Sequence, residues 1–436
     1  MRLLLIAGAA LAVLVSTIWL ASSSEETGTR FSEESSPSPS EDEDQEAPEP
    51  DPQSLIEDVL DQRAQAVRDD DRRSFLASID PSAGRFRRQQ RQSFDRVTSL
   101  RLGAYDLELV EGSDLVKQRH EGRYKRAEDV MILRVEERYR FKRFDDGDFI
   151  TDLALTFVLR NGDWLLASDA DVKGKAATGR SIWEFGPIKK TRSRDVLVLQ
   201  HPCDTPECVE VGDSFLQLAE TGLDRVSEKW REPWNERVVV LVTASDEELR
   251  AILGIDFAIE NFVAFAFAPN RARGYSPARI VVNRESLSGR SPEDILTVMT
   301  HELMHVATRR ISGPHVPLWV EEGLAEWVAR APGDDGDIFF DSQLSTGEVV
   351  PELPRDRDFR RGSADDLFVR YQSSRSAVTY FIDRFGYRKF VRFYKILGDS
   401  HEQPGNAKKH LQSSLRRVTG LGPRTFEMQW TDSIAP

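Results

Sequence analysis

Cysteine is almost missing from this chain: two in 436 residues, Cys203 and Cys208. That excludes a disulfide-dense scaffold, and it excludes zinc modules built from repeated cysteine pairs. Histidine is also scarce, at seven, so any imidazole metal site must be small. A surplus of positive charge is lacking too. Lys and Arg number 59 against 73 Asp and Glu, for a net charge of −14, and nothing in this balance fits nucleic-acid binding. The four arginines Arg85, Arg87, Arg88 and Arg91 read as one helix's wet face. Long hydrophobic runs are limited to one stretch, residues 3–21.

That stretch is uncharged over 19 residues and follows Arg2. A cleaved signal peptide carries an apolar core of about 7–15 residues, and a spanning helix needs about 17–25. The length favours an uncleaved single-pass anchor within residues 1–22, with the remainder extracytoplasmic at the cell membrane. Ala21-Ser22-Ser23 leaves the alternative of signal cleavage and secretion. No cysteine ends the run, which argues against a lipoprotein. From Ser22 to Gln53 there are eleven acids and one base, a net of −10 in Ser/Pro-rich sequence. Such a stretch cannot bury a core, so 23–53 reads as a disordered acidic linker. Taking it and Arg2 away from −14 leaves −5 for 54–436, so the folded part is only mildly acidic.

The chemistry concentrates at His301-Glu302-Leu303-Met304-His305. Ser291 suits an N-cap, Pro292 the first helical position, and Glu293 and Asp294 the first turn. Apolar residues recur at helical spacing, so a helix is expected over 292–310, stopped by Ser312-Gly313-Pro314. One turn apart, His301 and His305 present both imidazoles to one side, where two neutral nitrogens can hold Zn2+. Glu302 is rotated away from them, in the position a general base needs. A catalytic zinc takes three protein ligands and one open position, and Glu322 is the best third ligand. It lies in Trp319-Val320-Glu321-Glu322-Gly323-Leu324-Ala325-Glu326-Trp327, a second expected helix between Pro317 and Pro332. Glu326 shares its face at i+4 and would accept the outer N–H of a ligand histidine.

HELMH followed by WVEEGLAEW resembles the gluzincin zinc metallopeptidases, especially the peptidase MA-like members and the aminopeptidases with a W-x-x-E-G second motif. The resemblance implies His301, His305 and Glu322 as metal ligands and Glu302 as the base. The 16 residues between His305 and Glu322 fit the peptidase MA-like group. Thr308 and Ile311 stand where a metzincin would carry its glycine and third histidine. The resemblance extends to Tyr371, at the position of the aminopeptidase tyrosine that donates to the oxyanion, although Gln372-Ser373-Ser374 replaces Glu-Lys-Gly. Tyr380 is the competitor for that role. The aminopeptidase amine-binding motif has only Ile259-Glu260-Asn261-Phe262 as a counterpart, far upstream, so exopeptidase action is not implied. A protein or peptide substrate is.

About 380 residues outside the tether suggest two or three domains. Residues 54–172 open with helical segments and continue as strands over 104–110, 130–144, 149–159 and 164–167, with turns at Asp145-Asp146-Gly147 and Asn161-Gly162. This α+β order resembles the cone-like fold of nuclear transport factor 2, a curved antiparallel sheet behind helices. No convergent acid, His or Cys set occurs in it, and it reads as a spacer or docking module. Residues 173–194 read as a linker, with Ile182, Trp183 and Phe185 available for packing. The metallopeptidase domain follows over 195–436: a mixed sheet, the site helices and a helical C-terminal subdomain. Residues 262–268 alternate Phe and Ala, as either an edge strand for substrate backbone or a core strand. Cys203 and Cys208 are expected to form a disulfide. His201 and His315 remain as spare histidines, and 333–365 reads as a polar loop.

Overall fold

The computed structural model describes residues 51–114, 123–124, 126–174, 178–202, 206–255, 262–269, 275–313, 315–360, 363–399 and 407–435. Residues 1–50, Cys203 and the Cys208 side chain lie outside these, and with them the expected anchor, nearly all of the acidic linker, and the expected disulfide. The Ile259-Glu260-Asn261 segment lies outside as well. Among the described residues no helix is long and apolar enough to cross a membrane.

The chain folds as α+β around two sheets. Three helices come first: α1 (Pro52–Arg68), α2 (Arg72–Ala77) and α3 (Gly84–Leu100). Asp51 and Asp71 start the first two by accepting from the backbone N–H groups of Gln53 and of Arg73 and Ser74. Four strands follow, β1 (Ala104–Asp114), β2 (Asp129–Arg140), β3 (Phe149–Arg160) and β4 (Asp163–Ser168), paired antiparallel in sequence order. Asn161, at φ 52°, and Gly162, at φ 82°, make the tight turn between β3 and β4. The strand expected to run to 144 stops at Arg140, because the Asp145 carboxylate accepts from the Phe141 N–H and folds 141–145 into a turn.

The second sheet has the order β5-β6-β7-β9-β8, from β5 (Lys189–Arg192), β6 (Val196–Gln200), β7 (Val238–Val242), β8 (Ala264–Phe267) and β9 (Arg279–Val282). Pairs β6–β7 and β7–β9 are parallel, while β5 and β8 run antiparallel at the two edges. The stretch expected to be a linker therefore contributes β5, and it also buries Ile182 and Trp183 in a short 3-10 turn closed by a Ser181–Glu184 capping box. The alternation Lys-Lys-Thr-Arg suits an edge, with one side in water.

The central strands read as unbroken apolar runs, Val-Leu-Val-Leu and Val-Val-Val-Leu-Val, because both faces of this sheet are covered. Val196, Val198, Val238, Val240, Val242, Ile280 and Val282 enter a core with the C-terminal helices. Their neighbours Leu197, Leu199, Val239, Leu241 and Val281 enter a second core, shared with α1–α3 and the four-stranded sheet.

The covering helices are α4 (Pro206–Lys229), α5 (Asp246–Leu253), α6 (Pro292–Thr308), α7 (Leu318–Ala329), α8 (Asp335–Thr346), α9 (Ala364–Phe385), α10 (Tyr387–Gly398), α11 (Ala407–Thr419) and α12 (Pro423–Ile434). Part of the expected polar loop is thus α8, which Asp334 caps by accepting from the Asp337 N–H and Gly347 ends in the left-handed region. Likewise α9 begins inside the expected polar loop, at a Ser363–Asp366 capping box.

Candidate active site

Helix α6 is launched as its sequence implies. Ser291 accepts from the Asp294 N–H, the Asp294 carboxylate accepts from the Ser291 N–H, and Pro292 sits in the first turn. Helix α7 takes no cap from Pro317; Asp356 accepts from its first N–H, that of Leu318, at 2.9 Å, and its end is held from outside as well. Lys229, the last residue of α4, donates to the carbonyls of Trp327, Val328 and Arg330 at 2.8, 3.1 and 3.0 Å. That satisfies acceptors a helix end leaves open and places a cation at the negative end of the dipole. Gly323 has its own reason to be glycine: a Cβ there would stand 2.4 Å from the Ser374 carbonyl oxygen. Only a bare backbone lets α9 lie this close to α7.

These helices bring His301, His305 and Glu322 together. Nε2 of His301 lies 3.1 Å from Nε2 of His305 and 3.1 Å from Oε2 of Glu322. The remaining side, His305 Nε2 to Glu322 Oε2, is 3.4 Å. Ligands about 2.0–2.2 Å from a tetrahedral ion stand about 3.3–3.6 Å from one another, and the triangle matches that spacing to within a few tenths of an ångström. Among the described residues these are the only three His, Cys, Asp or Glu side chains grouped closely enough to hold a metal.

Charge supports the same assignment. Nδ1 of His301 lies 2.8 Å from Oε1 of Glu326. Burial alone would raise the Glu326 carboxyl, but Arg330, bonded to its other oxygen, and His301 hold it far below the usual carboxylate range. An ionised carboxylate can only accept, so Nδ1 carries the hydrogen and Nε2 turns its lone pair toward Glu322 and His305. With the His305 hydrogen likewise on Nδ1, three electron-rich atoms converge on one point, where a cation can hold them. With a proton as that cation, burial opposes the charge on His301, yet the hydrogen bonds to Glu322 and Glu326 lift it to about 10. The donor set of two imidazoles and one carboxylate fits zinc.

Glu302 is fully buried beside the triangle. Its Oε2 accepts from the Ala266 N–H at 2.6 Å, and its Oε1 has no protein hydrogen-bond partner. Burial raises its carboxyl to about 8, against the pull of His301. A carboxyl poised there can take up and release a proton near neutral pH. Ala266 lies in β8, which the sheet order makes an edge strand, and its N–H points to Glu302.

Tyr371, on α9, is buried with its ring 6.1 Å from that of His301, and its hydroxyl has no hydrogen-bond partner. Burial first, and the carboxylates of Glu322, Glu326 and Glu302 next, keep it protonated well above the usual phenol range. Tyr380 points elsewhere: its ring packs on Phe385 and Phe426, and its hydroxyl donates to Gln429. The spare histidines are outside the site. His201 bonds Pro187 O and Glu248, while His315 packs edge-on to His410.

Sequence reasoning did not reach the support behind Glu326. Arg330 bridges it to Asp334 at 3.2 Å, and Asp334 accepts from the buried Arg375 of α9 at 3.0 Å. Arg330 had a signal, its i+4 spacing from Glu326. Arg375 had none.

No family model matches the chain, and no curated protein matches it. Among solved structures it is similar to an M1 zinc metallopeptidase from Deinococcus radiodurans, at 13% identity and a TM-score of 0.32, over 64% of this chain and 58% of that one. It is also similar to a mutant of that enzyme (14% identity, TM-score 0.31) and to a two-domain mutant form bound to L-arginine (14%, 0.32). The chain spans under two thirds of the length of these relatives.

Proposed function

We propose that this protein is a zinc-dependent peptidase. The observation that carries the reading is the 3.1, 3.1 and 3.4 Å triangle of His301, His305 and Glu322 with the Glu302 carboxylate set beside it. His301, His305 and Glu322 hold the metal. When bound, zinc supplies a Lewis acid that polarises a carbonyl and makes water a stronger acid. Glu302 removes the proton from the attacking water and passes it to the leaving amine nitrogen. The β8 edge aligns an extended peptide backbone across the site by strand addition. The Tyr371 hydroxyl donates to the oxygen of the tetrahedral intermediate. Glu326 keeps His301 in the tautomer that leaves Nε2 free to bind.

The same reading divides the chain into a membrane-inserted or signal segment at 1–22, an acidic linker at 23–53, an N-terminal α+β unit at 54–172 and the peptidase unit at 195–436. It places both folded units outside the cytoplasm. The test is metal analysis of the purified protein together with Glu302→Gln. One zinc per chain is expected in both proteins, with peptide hydrolysis lowered at least about 100-fold in the variant, as for loss of a general base. Absence of zinc, or unchanged hydrolysis, overturns the mechanism.

A further inference from the structure

The β2–β3 turn of the N-terminal unit carries two adjacent aspartates, and each holds an arginine on or next to a different element bordering the active site. Asp145 pairs with Arg279 of β9 through two contacts, one of them Nη2 to Oδ2 at 2.8 Å. The arginine side chain is wholly buried and that of the aspartate nearly so. The guanidinium carbon also lies 5.6, 4.9 and 4.6 Å from the ring centres of Tyr139, Phe141 and Phe149, all from the same unit. Asp146 holds Arg310, two residues beyond the end of α6, at 2.9 Å to Nε and 2.7 Å to Nη2. It also accepts from the Tyr275 hydroxyl at 2.8 Å, and Arg310 stacks 3.9 Å over the Tyr275 ring.

Glu302 sits between these two holds. It belongs to α6, whose end Asp146 fixes. Its oxygen rests on the Ala266 N–H of β8, and β8 is paired to β9 with Phe267 opposite Arg279 and Ala266 opposite Ile280. The N-terminal unit touches β8 directly as well, with the Phe149 ring 6.0 Å from Phe267. Two further bonds tie the turn to the loop before β7: Asn235 donates to the Phe144 carbonyl and Arg237 to that of Arg143, each at 2.7 Å. His301 and His305 ride on α6 with Glu302, and Glu322 on the neighbouring α7, whose end and packing are held by Lys229 and Gly323.

We propose that the turn Phe144–Gly147 is a positioning element for the general base: Asp145, through Arg279, and Asp146, through Arg310, fix the edge strand against the site helix and so set Glu302 on Ala266. This rests on the peptidase reading, and it makes the N-terminal unit part of the catalytic apparatus. A buried ion pair inside a ring of aromatics suits this task, since it tolerates few alternative arrangements. Loosening the turn would shift strand and helix relative to each other by a fraction of an ångström, enough to impair proton transfer that depends on hydrogen-bond reach. The ligand triangle would travel as a unit with α6 and α7, while the Ala266 N–H stays with β8.

The experiment uses the full chain, zinc-loaded, with Asp145→Asn, Asp146→Ala and the conservative Asp146→Glu. Three properties are measured: zinc affinity by chelator competition, hydrolysis of fluorescein-labelled casein, and amide hydrogen exchange across 262–269. In Asp145→Asn and Asp146→Ala, exchange at 262–269 is expected to quicken at least about tenfold and kcat to fall at least about fivefold. KM and zinc affinity should stay within about twofold, and Asp146→Glu should recover most of kcat. Unchanged exchange and kcat in a folded Asp146→Ala overturns the proposal. So does a loss of zinc affinity that parallels kcat, which would mark a general loosening. Should Asp145→Asn not fold, the exposed Asp146 site decides alone. If wild type binds zinc but cleaves nothing, the peptidase reading fails, and hydrogen exchange still reports on the clamp.

Discussion

Glu326 lies between His301 and Arg330, accepting from the histidine Nδ1 with one oxygen and from the arginine Nε with the other. Each carboxylate oxygen thus has one partner, and the charge of Arg330 stabilises the anion that fixes the histidine tautomer. Removing the carboxylate, as in Glu326→Ala, frees the imidazole to rotate and weakens its donation to a metal. Outer partners of this kind typically contribute about 10–100-fold in metal affinity. Chelator competition should show a loss of that size for Glu326→Ala and a smaller one for Arg330→Met. Equal affinity in all three proteins would mean that Glu326 is a passive neighbour.

Tyr371→Phe deletes one oxygen that makes no hydrogen bond within the protein. Folding stability should therefore be unchanged or slightly higher, because a buried unpaired hydroxyl is unfavourable. Zinc content should be unchanged. If the hydroxyl donates to the developing oxyanion, kcat falls by about 100-fold with little change in KM, the usual effect of removing one such donor. An unaltered kcat would leave Tyr371 as core packing.

Gly323→Ala tests the approach of α7 and α9. The added methyl would meet the Ser374 carbonyl and the Val378 side chain at 2.4 and 2.7 Å. The helices must separate, and overpacking of this kind costs about 1–3 kcal/mol. A lower Tm in thermal unfolding is expected, along with weakened hydrolysis, because Glu322 and Tyr371 ride on the two separated helices. A variant as stable as wild type would contradict the described packing.

Glu137 provides a pH test away from the metal site. It is buried, with Tyr105 donating to it at 2.9 Å and Ser181 at 3.3 Å. Burial first, and then the Glu184 charge, push its carboxyl up to about 7, against the hydrogen bonds from Tyr105 and Ser181 and the Arg63 charge. The folded state therefore holds this proton more tightly than the unfolded chain does. Between the unfolded carboxyl range, near pH 4.5, and pH 7 the native state binds more protons, so this group lowers stability as pH rises. Glu137→Gln removes the titration. Denaturant unfolding should show the variant gaining on wild type from pH 4.5 to 7 and holding its advantage above, by up to about 3 kcal/mol at 1.36 kcal/mol per unit. A difference independent of pH would sink the prediction.

The grouping of His301, His305 and Glu322 was legible because its geometry is local. Residues at i and i+4 on a capped helix face one way whatever surrounds them, and Glu322 lies on the next helix along. Tyr371 and Tyr380 were harder to separate. Nine residues of α-helix turn the side chain through about 180°, so one of the two must face away from the site, and periodicity does not say which. Helix α8 was hidden because Asp334-Asp335-Gly336-Asp337 has the composition of a loop, whereas in the structure Asp334 is a helix cap. The partnership of Arg279 with Asp145, 134 residues apart, leaves no sequence period at all. It joins a turn and a strand that are individually plain, and only the packing of one unit over the other reveals it. The same holds for β5, whose charged residues read as a linker until its pairing with β6 is seen.

The sheet that supports the site has helices on one face and the N-terminal unit on the other, which bears on how the protein is made. Chains generally fold unit by unit as they leave the ribosome, the N-terminal part first. Here the first part to emerge carries Asp145 and the aromatic rings that later surround Arg279. The strands of the second unit, when they arrive, meet a prepared apolar surface with anionic seats for Arg279 and Arg310. The early unit thus serves as a template for the late one. A chain begun at residue 195 would expose Leu197, Leu199, Val239, Leu241 and Val281 to water, together with an arginine that has lost its counter-ion. The two units are therefore expected to be inherited, and engineered, as a pair.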